Sequence, residues 1–521
     1  MLLVLLLIGR WLYAAVVPLE LVADEAYYWD WSRQLDWGYY SKPPMVAWLI
    51  RLATELGGST AWAVRTPAVV LGTLSLWWIY LLAARVFDAR TGFWSVVLCA
   101  ATPGNTALSL LMTIDAPFLF CWGMAMYALW RMLEGGSQRA GWIVATGLAT
   151  GLGLLSKESM VAFLMGTGLF VLLSLEDRRE LRRPGLWLMT LIALACVLPV
   201  FVWNIEHDWI TFKHSSSHFE AQTTDLARRL LRSAEFVASQ FGLISPVTCA
   251  LFAVAAVPAV RDFRRLSRKA LFLVCFSIVP LSCVLALSLT RRVMPNWPAP
   301  FYAAGLIYTV GWLSGRFDSG ELTATPRWVF FSRDRLLRGS VWCGAICACL
   351  TCLAPWGVHW SGLIGSKLDP TVRLRGWNSL AAQVASNRAG APRPDSTFVM
   401  VAAGRYEVSE LAFYLPDQPL VAHWNPGGTI SSQYDLWPGP VDKAGWDAVI
   451  LSLPSDHIDP RIAERFQDVT KHPTGIDIPL GGSRVRRYTA WLGRGYRPPQ
   501  GESSGGPDAA IARHPTASTP R

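Results

Sequence analysis

The sequence is poor in charge: Asp, Glu, Lys and Arg together make up only 16% of its 521 residues. Soluble globular proteins average about 25% charged residues. The hydrophobic fraction is 52%, the mean hydropathy is +0.31, and the chain contains 26 Trp, a residue that accumulates at membrane interfaces. This composition excludes an ordinary soluble protein and predicts a polytopic α-helical membrane protein in contact with a lipid bilayer.

Cysteine is absent after Cys352, so the rest of the chain cannot hold a disulfide framework. The ten cysteines begin at Cys99 and lie in or beside apolar runs, where a thiol packs as a small hydrophobe. Cys343, Cys347, Cys349 and Cys352 have metal-like spacing but lie within the apolar stretch VWCGAICACLTCLAP. We therefore predict no cysteine-bound metal.

Eleven apolar runs are long enough to cross a bilayer, which requires about 20 residues, or fewer where neighbouring helices shield the ends. The first run lacks the positively charged start of a secretory signal and is interrupted by Arg10, so we expect it to be retained. The predicted spans are 2–20, 62–84, 92–110, 116–133, 141–155, 158–175, 186–203, 236–258, 270–289, 298–314 and 337–355.

Basic residues near the span ends predict the orientation. The loops after even-numbered spans hold eighteen Lys and Arg, whereas the odd-numbered loops are longer in total and hold fewer. Since the basic side of a membrane protein is cytoplasmic, the odd-numbered loops are predicted to face the periplasm. The net charge of +10 then reflects topology and not a nucleic-acid partner.

The composition changes after the last span. We predict a transmembrane domain over residues 1–355 and a periplasmic α/β domain over 356–495, with strands in STFVMVAA and WDAVILSLP and a helix in EVSELAFYL. Residues 496–521 are rich in Pro, Gly and Ser and are predicted to be disordered. The sequence shows no internal repeat.

Ionisable and aromatic side chains collect in the odd-numbered loops. Ionisable groups at membrane depth are costly and usually functional. A carboxylate there can act as general base, cations can hold a phosphate leaving group, and Tyr or Trp faces can stack on a sugar ring. The candidates are Asp24, Glu25, Tyr27, Tyr40, Lys42, Asp115, Lys157, Arg291 and Arg292.

Structural roles remain open for these residues. Carboxylates stabilise helix N-termini, and cations near helix ends extend to lipid headgroups; these roles apply to Asp24, Glu25, Asp115, Lys42, Arg291 and Arg292. The histidines at 207, 214 and 218 fit no strong metal template. No metal ligands or cofactor are assigned, although carboxylates such as Asp24 and Asp115 would accept a divalent cation.

The first odd loop also resembles a known family. DEAYYWDWSRQLDWGYYSKPP, residues 24–44, is similar to the first outer loop of bacterial membrane glycosyltransferases of the protein-mannosyltransferase superfamily, which have the GT-C architecture and use polyprenyl-phosphate sugars. TIDAP, LLSKES and PNWPAP resemble later signatures of the same branch, and RYEVSELAFYLPDQP resembles its C-terminal domain. The resemblance covers residues 1–495.

The resemblance implies roles for individual residues. Asp24 corresponds to the catalytic base, Glu25 to its acidic partner, Asp115 to a second acidic site and Lys42 to a contact of the lipid phosphate. Arg291 and Arg292 match a phosphate-binding position more loosely, and Lys157 is followed by Glu158 where an aromatic residue is expected. The family implies inversion by a single displacement, without a covalent intermediate.

The sequence therefore predicts an inner-membrane glycosyltransferase that moves a sugar from an undecaprenyl-phosphate donor to lipid A, another envelope glycan or a protein. One alternative is a transporter or flippase of a lipid-linked sugar, although such proteins tend to show repeats and midplane charges. Another is an envelope assembly or sensing protein whose C-terminal domain is the binding module.

Overall fold

The computed structural model describes residues 1–217, 225–317, 327–366, 369–425, 427–482 and 484–499. His218 and most of the predicted disordered tail, residues 500–521, lie outside the described residues. The helices are α1 (Leu2–Val16), α2 (Ala23–Ser32), α3 (Met45–Gly57), α4 (Ala61–Val86), α5 (Ala89–Ala100), α6 (Pro103–Leu108), α7 (Asp115–Glu134), α8 (Arg139–Ser156), α9 (Val161–Leu173), α10 (Pro184–Glu206), α11 (Ile210–Ser217), α12 (Leu226–Ile244), α13 (Pro246–Arg261), α14 (Arg268–Cys275), α15 (Ile278–Ser288), α16 (Ala299–Leu313), α17 (Arg327–Trp360), α18 (Trp377–Ala389), α19 (Arg405–Tyr414) and α20 (Pro460–Ala463). The strands are β1 (Thr397–Ala402), β2 (Ala422–His423), β3 (Asp447–Ser452), β4 (Asp468–Lys471), β5 (Ile476–Gly481) and β6 (Arg484–Arg494).

The described chain forms two compact units. The helical unit comprises Met1–Val16, Lys42–Trp203 and Ser215–Leu353. The sheet unit comprises Val17–Ser41, Asn204–His214 and the described residues from Ala354 onward. The first odd loop, up to Ser41, therefore belongs to the same compact unit as the C-terminal segment. The domain boundaries at 355 and 495 were placed along the sequence and stay a prediction.

Aromatic packing fills the core of the helical unit. Trp122 of α7 is almost completely buried, and its ring centroid lies 5.7 Å from that of Phe163 in α9 and 5.4 Å from that of Phe301 in α16, both edge to face. Such pairs contribute about 0.5–1.5 kcal/mol beyond the area they bury. The apolar runs of the sequence therefore pack on one another as well as facing outward.

The eleven predicted spans all overlap helices, but three of them contain a break. One of these, span 270–289, is interrupted between Cys275 and Ile278, where α14 ends and α15 begins. Span 92–110 is divided at Thr102, whose hydroxyl caps a new helix that begins at Pro103. Span 236–258 is divided at Ser245, where α12 and α13 meet at a bend of 113°. The apolar pattern of the sequence did not reveal these breaks, because a segment can be equally apolar whether its helix is continuous or bent.

Among the described residues, four helical segments are long and apolar enough to cross a membrane, and the bent pair α12–α13 would make a fifth. The four are Ala61–Val86, Pro184–Glu206, Arg268–Ser288 and Ser332–Trp360. The helical membrane character is thus confirmed, while the count of eleven spans stays a prediction.

Several glycines of the helical unit lie in close contact with a neighbouring segment. A Cβ placed on Gly72 of α4 would overlap the side chain of Ser109 and lie 2.9 Å from its Cα. We expect Gly72→Ala to lower the stability of the helical unit by about 1–3 kcal/mol, because a well-packed contact must open. Thermal unfolding in detergent measures this change. Gly168→Ala is the matched control, since no atom lies within 4 Å of a Cβ there; equal midpoints for both variants would contradict the expectation.

The sheet unit contains a mixed sheet of order β2-β1-β3-β6-β4, with β5 also paired to β6. β1 is parallel to β2 and β3, and β6 is antiparallel to β3, β4 and β5. The two predicted strands are β1 and β3, and the predicted helix is α19. The α/β architecture is confirmed, and β1 and β3 are almost entirely buried, as continuous apolar runs indicate.

Candidate functional site

Helix α2 carries the two adjacent carboxylates of the first odd loop. Glu25 is fully buried, and its Oε2 accepts a hydrogen bond of 2.9 Å from the backbone N–H of Val22. This contact gives Glu25 the helix-stabilising role that the sequence left open. Asp24 differs, since 45% of its side chain is exposed. Of the two, Asp24 is the carboxylate that a substrate can reach.

Arg405 is the residue that sequence reasoning missed. Its Nη2 lies 3.2 Å from Oδ1 of Asp24, and its guanidinium lies over the rings of Tyr27 and Tyr406, at 4.8 and 4.9 Å. Burial, the largest single effect, lowers the pKa of Arg405, but the Asp24 carboxylate together with Tyr406 and Tyr27 outweighs it, so that the pKa is raised. The available signal was its position at the start of the family-like motif RYEVSELAFYLPDQP.

Tyr27 and Tyr40 are joined through Gln433. The hydroxyl of buried Tyr27 accepts a hydrogen bond of 2.6 Å from the Gln433 backbone N–H, and burial raises the pKa of this phenol. The backbone N–H of Tyr40 donates to Gln433 Oε1 at 2.7 Å. The half-buried Tyr40 ring lies 4.8 Å from the ring of His214. Asp24, Tyr27, Tyr40, Arg405 and Gln433 form the Asp24 cluster of the sheet unit.

Helix α2 itself is held against the C-terminal part of the sheet unit. Trp29 meets Phe413 of α19 edge to face at 4.9 Å, and the backbone N–H of Leu21 donates to the Tyr414 hydroxyl at 2.7 Å. Packing of this kind orders the aromatic loop that carries Asp24. The abundance of Tyr and Trp in this loop is therefore explained largely by packing inside the sheet unit, and only in part by an exposed surface.

Asp30 is a buried carboxylate on the same helix. It accepts a hydrogen bond of 2.9 Å from the Tyr434 hydroxyl and pairs with Arg33 at 3.2 Å, yet burial raises its pKa to about 6. The folded state therefore binds more protons than the unfolded state between pH about 4 and about 6. The contribution of Asp30 to the free energy of unfolding must therefore fall as the pH rises through that window.

Replacement of Asp30 tests this expectation. Between pH 4 and 7, wild-type stability should fall relative to that of Asp30→Asn by about 2 kcal/mol, because the amide does not titrate. Unfolding midpoints of both proteins in detergent at several pH values measure the difference. Parallel stability curves across the window would contradict a raised pKa for this carboxyl.

The helical unit contains a second cluster around Asp115, the first residue of α7. Lys157, at the end of α8, places Nζ 2.8 Å from Asp115 Oδ1, and Asn296 donates from Nδ2 to Oδ2 at 2.8 Å. The side chains of Lys157 and Asp115 are 12% and 5% exposed. The structure thus joins TIDAP, LLSKES and PNWPAP, three motifs far apart in sequence. The Thr113 hydroxyl donates to Asp115 Oδ2 at 3.4 Å, and Thr113, Asp115, Lys157 and Asn296 form the Asp115 cluster.

The remaining cationic candidates lie in the helical unit in different environments. Arg291 is buried and Arg292 is exposed. Lys42 is half-buried, two residues before the Pro44 that precedes α3, and no ion-pair partner for it occurs in the part of the chain that the structure describes. An unpaired ammonium of this kind is suited to binding an anion. No described group of three or more His, Cys, Asp or Glu side chains is arranged to hold a metal.

Comparisons with known proteins agree with this architecture. The family model described as dolichyl-phosphate-mannose-protein mannosyltransferase matches residues 41–203, which include Lys42, Asp115 and Lys157. The crystal structure of ArnT from Cupriavidus metallidurans bound to undecaprenyl phosphate superposes with a TM-score of 0.64 at 18% identity, covering 94% of this chain and 97% of that one. This likeness shows the fold.

Two curated relatives add sequence similarity. The lipid A galacturonosyltransferase RgtD of Rhizobium johnstonii is 29% identical over 295 residues, which cover 56% of this chain and 60% of that protein. An undecaprenyl phosphate-alpha-4-amino-4-deoxy-L-arabinose arabinosyl transferase of Pseudomonas aeruginosa is 37% identical over 123 residues, 23% of this chain and 22% of that protein. The matches thus span less than two thirds of these relatives. The predicted resemblance is confirmed.

Proposed function

We propose that this chain, a relative of the GT-C membrane glycosyltransferases of the protein-mannosyltransferase superfamily, transfers a sugar from an undecaprenyl-phosphate donor to lipid A or another envelope glycan. The observation that carries this proposal is the half-exposed Asp24 carboxylate, held by Arg405 on an ordered aromatic helix. The names of the Rhizobium and Pseudomonas relatives, which specify lipid A and undecaprenyl phosphate, support the substrate classes.

In the proposed mechanism Asp24 accepts the proton of the acceptor hydroxyl or amine as its oxygen or nitrogen attacks the anomeric carbon. The bond from that carbon to the phosphate oxygen breaks in the same step, so the lipid phosphate leaves with the electron pair and the configuration inverts. Arg405 is a positioning residue, because its guanidinium fixes the carboxylate that takes the proton. Glu25 supports α2 from its buried site.

Cations are assigned to the leaving phosphate. The Lys42 ammonium has no ion-pair partner among the described residues. A phosphate group can serve as that partner through charge-assisted hydrogen bonds. Arg291 and Arg292 are secondary candidates for the same role. The charge of Lys157 is already balanced by the Asp115 carboxylate. We therefore assign Asp115 the role of orienting the Lys157 ammonium, and not that of a second general base.

The proposed topology places these residues outside the cytoplasm. Eleven spans, with the odd-numbered loops and the domain over 356–495 facing the periplasm, follow from the distribution of Lys and Arg. A periplasmic site fits acceptors that are assembled on the outer face of the inner membrane.

A transfer assay tests the function directly. Membranes that contain the protein, and matched membranes without it, would receive labelled undecaprenyl-phosphate sugars, and label would be followed into lipid A, polysaccharide and protein fractions. Protein-dependent labelling of a lipid or glycan fraction is the expected result. Movement of the labelled donor across the bilayer without transfer would support the flippase alternative, and labelling of protein alone would contradict the proposed acceptor class.

A further inference from the structure

The sheet unit contains a second feature that the transfer mechanism does not use. A cavity of about 600 Å³ lies within this unit and is lined by Asp30 of α2, by β1 and β2, and by segments 417–423 and 434–446. Its volume falls within the about 300–1,000 Å³ typical of small-molecule sites. All of its lining residues belong to the sheet unit.

Aromatic rings provide flat walls. Trp437 lies edge to face with Tyr434, with ring centroids 5.6 Å apart, and is itself only half-buried. Trp446 is held by the ammonium of Lys443, 4.3 Å from its ring centroid. Half-buried indole rings beside polar groups are suited to binding a sugar ring. The flat face of the indole packs on the apolar C–H groups of the sugar, and the neighbouring polar groups can meet the hydroxyls at the sugar's edge.

The polar side chains of the cavity wall are held in place by hydrogen bonds within the sheet unit. The Tyr434 hydroxyl donates a hydrogen bond to the buried Asp30 carboxylate. Asp435 accepts hydrogen bonds from the backbone N–H groups of Ser431 and Ser432, at 2.9 and 2.8 Å, and pairs with Nδ1 of His423 at 2.9 Å. These contacts fix the turn that positions Trp437 and leave His423 as part of the cavity lining.

The charge of the lining selects among sugars. Among the described residues that line the cavity, four are carboxylates and two are Lys or Arg, and each of these two cations is already paired: Arg388 with Asp417 at 2.8 Å and Lys443 with Asp442 at 3.0 Å. Of the remaining carboxylates, Asp30 pairs with Arg33 at 3.2 Å, whereas Asp395 has no ion-pair partner among the described residues. An anionic ligand such as a uronate or a sugar phosphate would meet net negative charge, whereas hydroxyl and ammonium groups would find acceptors.

We propose that this cavity binds a neutral or amino-bearing sugar residue of a glycan. Its identification as part of the acceptor rests on the proposed function, whereas the binding of a sugar does not. Asp24 and Asp30 lie six residues apart on one helix, which corresponds to about 9 Å along its axis. The same six residues turn Asp30 about 120° around the helix from Asp24, so the acceptor must extend over at least two sugar residues if one occupies the cavity while another presents its hydroxyl near Asp24.

Saturation-transfer difference NMR on the full chain in detergent tests this proposal. Glucose, glucosamine and galacturonate are the probes, and the transferase assay is run separately, so that failure of binding and failure of catalysis are distinguishable. We expect signals from glucose and glucosamine but not from galacturonate. Trp437→Ala should weaken binding by about five- to tenfold, and Trp437→Phe should retain most of it.

Asp395→Asn provides a second variant at an exposed position of the cavity rim, where the fold should tolerate the change, and Asp477→Asn, at an exposed position of strand β5, is its matched control. Weaker binding of glucosamine to Asp395→Asn and unchanged binding to Asp477→Asn would support the site. Absence of any probe signal with the wild type, equal affinity for Trp437→Ala, or a preference for galacturonate would each overturn it.

Discussion

We expect Asp24→Asn to lower the rate of sugar transfer by about 10²–10⁴-fold, the range that loss of a general base produces. Asn has nearly the same size as Asp but cannot accept the proton of the acceptor. The fold should tolerate the change, because Asp24 is half-exposed and contacts the rest of the sheet unit mainly through Arg405. Initial rates with labelled donor in purified protein measure the effect.

Two controls separate catalysis from structure in this experiment. Asp36→Asn removes a carboxylate from the same loop, and the amide oxygen can still accept the 2.7 Å hydrogen bond from the backbone N–H of Trp37. This variant should retain transfer. Asp24→Asn should also retain the wild-type unfolding midpoint and the affinity for undecaprenyl phosphate. Transfer at the wild-type rate by a folded Asp24→Asn protein would remove the central claim of the mechanism.

The second large effect is expected at the Asp115–Lys157 ion pair. Lys157→Met should lower stability by about 3–5 kcal/mol, because it leaves the buried Asp115 carboxylate without its compensating charge. Asn296 supplies one hydrogen bond to that carboxylate but no charge. Thermal or denaturant unfolding in detergent, with the wild type measured in parallel, gives the magnitude.

The double variant Asp115→Asn with Lys157→Met distinguishes a structural pair from a functional one. Removing both charges should restore much of the lost stability, since no buried charge remains unpaired. If Lys157 contributes to phosphate binding, transfer should stay low and the affinity for undecaprenyl phosphate should stay weak in this stable protein. Recovery of both stability and transfer would show that the pair is only structural, and a destabilisation below 1 kcal/mol for Lys157→Met would contradict the pairing itself.

Local patterns in the sequence predicted much of the architecture. The apolar runs located helices in the helical unit, and the continuous apolar segments at 397–402 and 447–452 located the two central strands. The sequence also indicated that Asp115 and Lys157 belong to one level of the membrane. These predictions succeed because helix, strand and span depend on residues that are neighbours in the chain.

Contacts between distant segments were beyond such patterns. Asp24 and Arg405 are 381 residues apart, and no periodicity relates them. The same holds for Asn296 and Asp115, separated by 181 residues. Nor did the sequence indicate the bend at Ser245.

The sequence by itself determined that this is a helical membrane protein with an α/β segment at its end and an aromatic, acidic loop near its start. Only the tertiary structure decided that this loop packs within the sheet unit, that Glu25 is buried while Asp24 is accessible, and that a polar cavity with aromatic walls forms beside Asp30. The reason is physical: composition and periodicity report the free energy of burying each segment, whereas the partners of a charged side chain are set by which segments pack together.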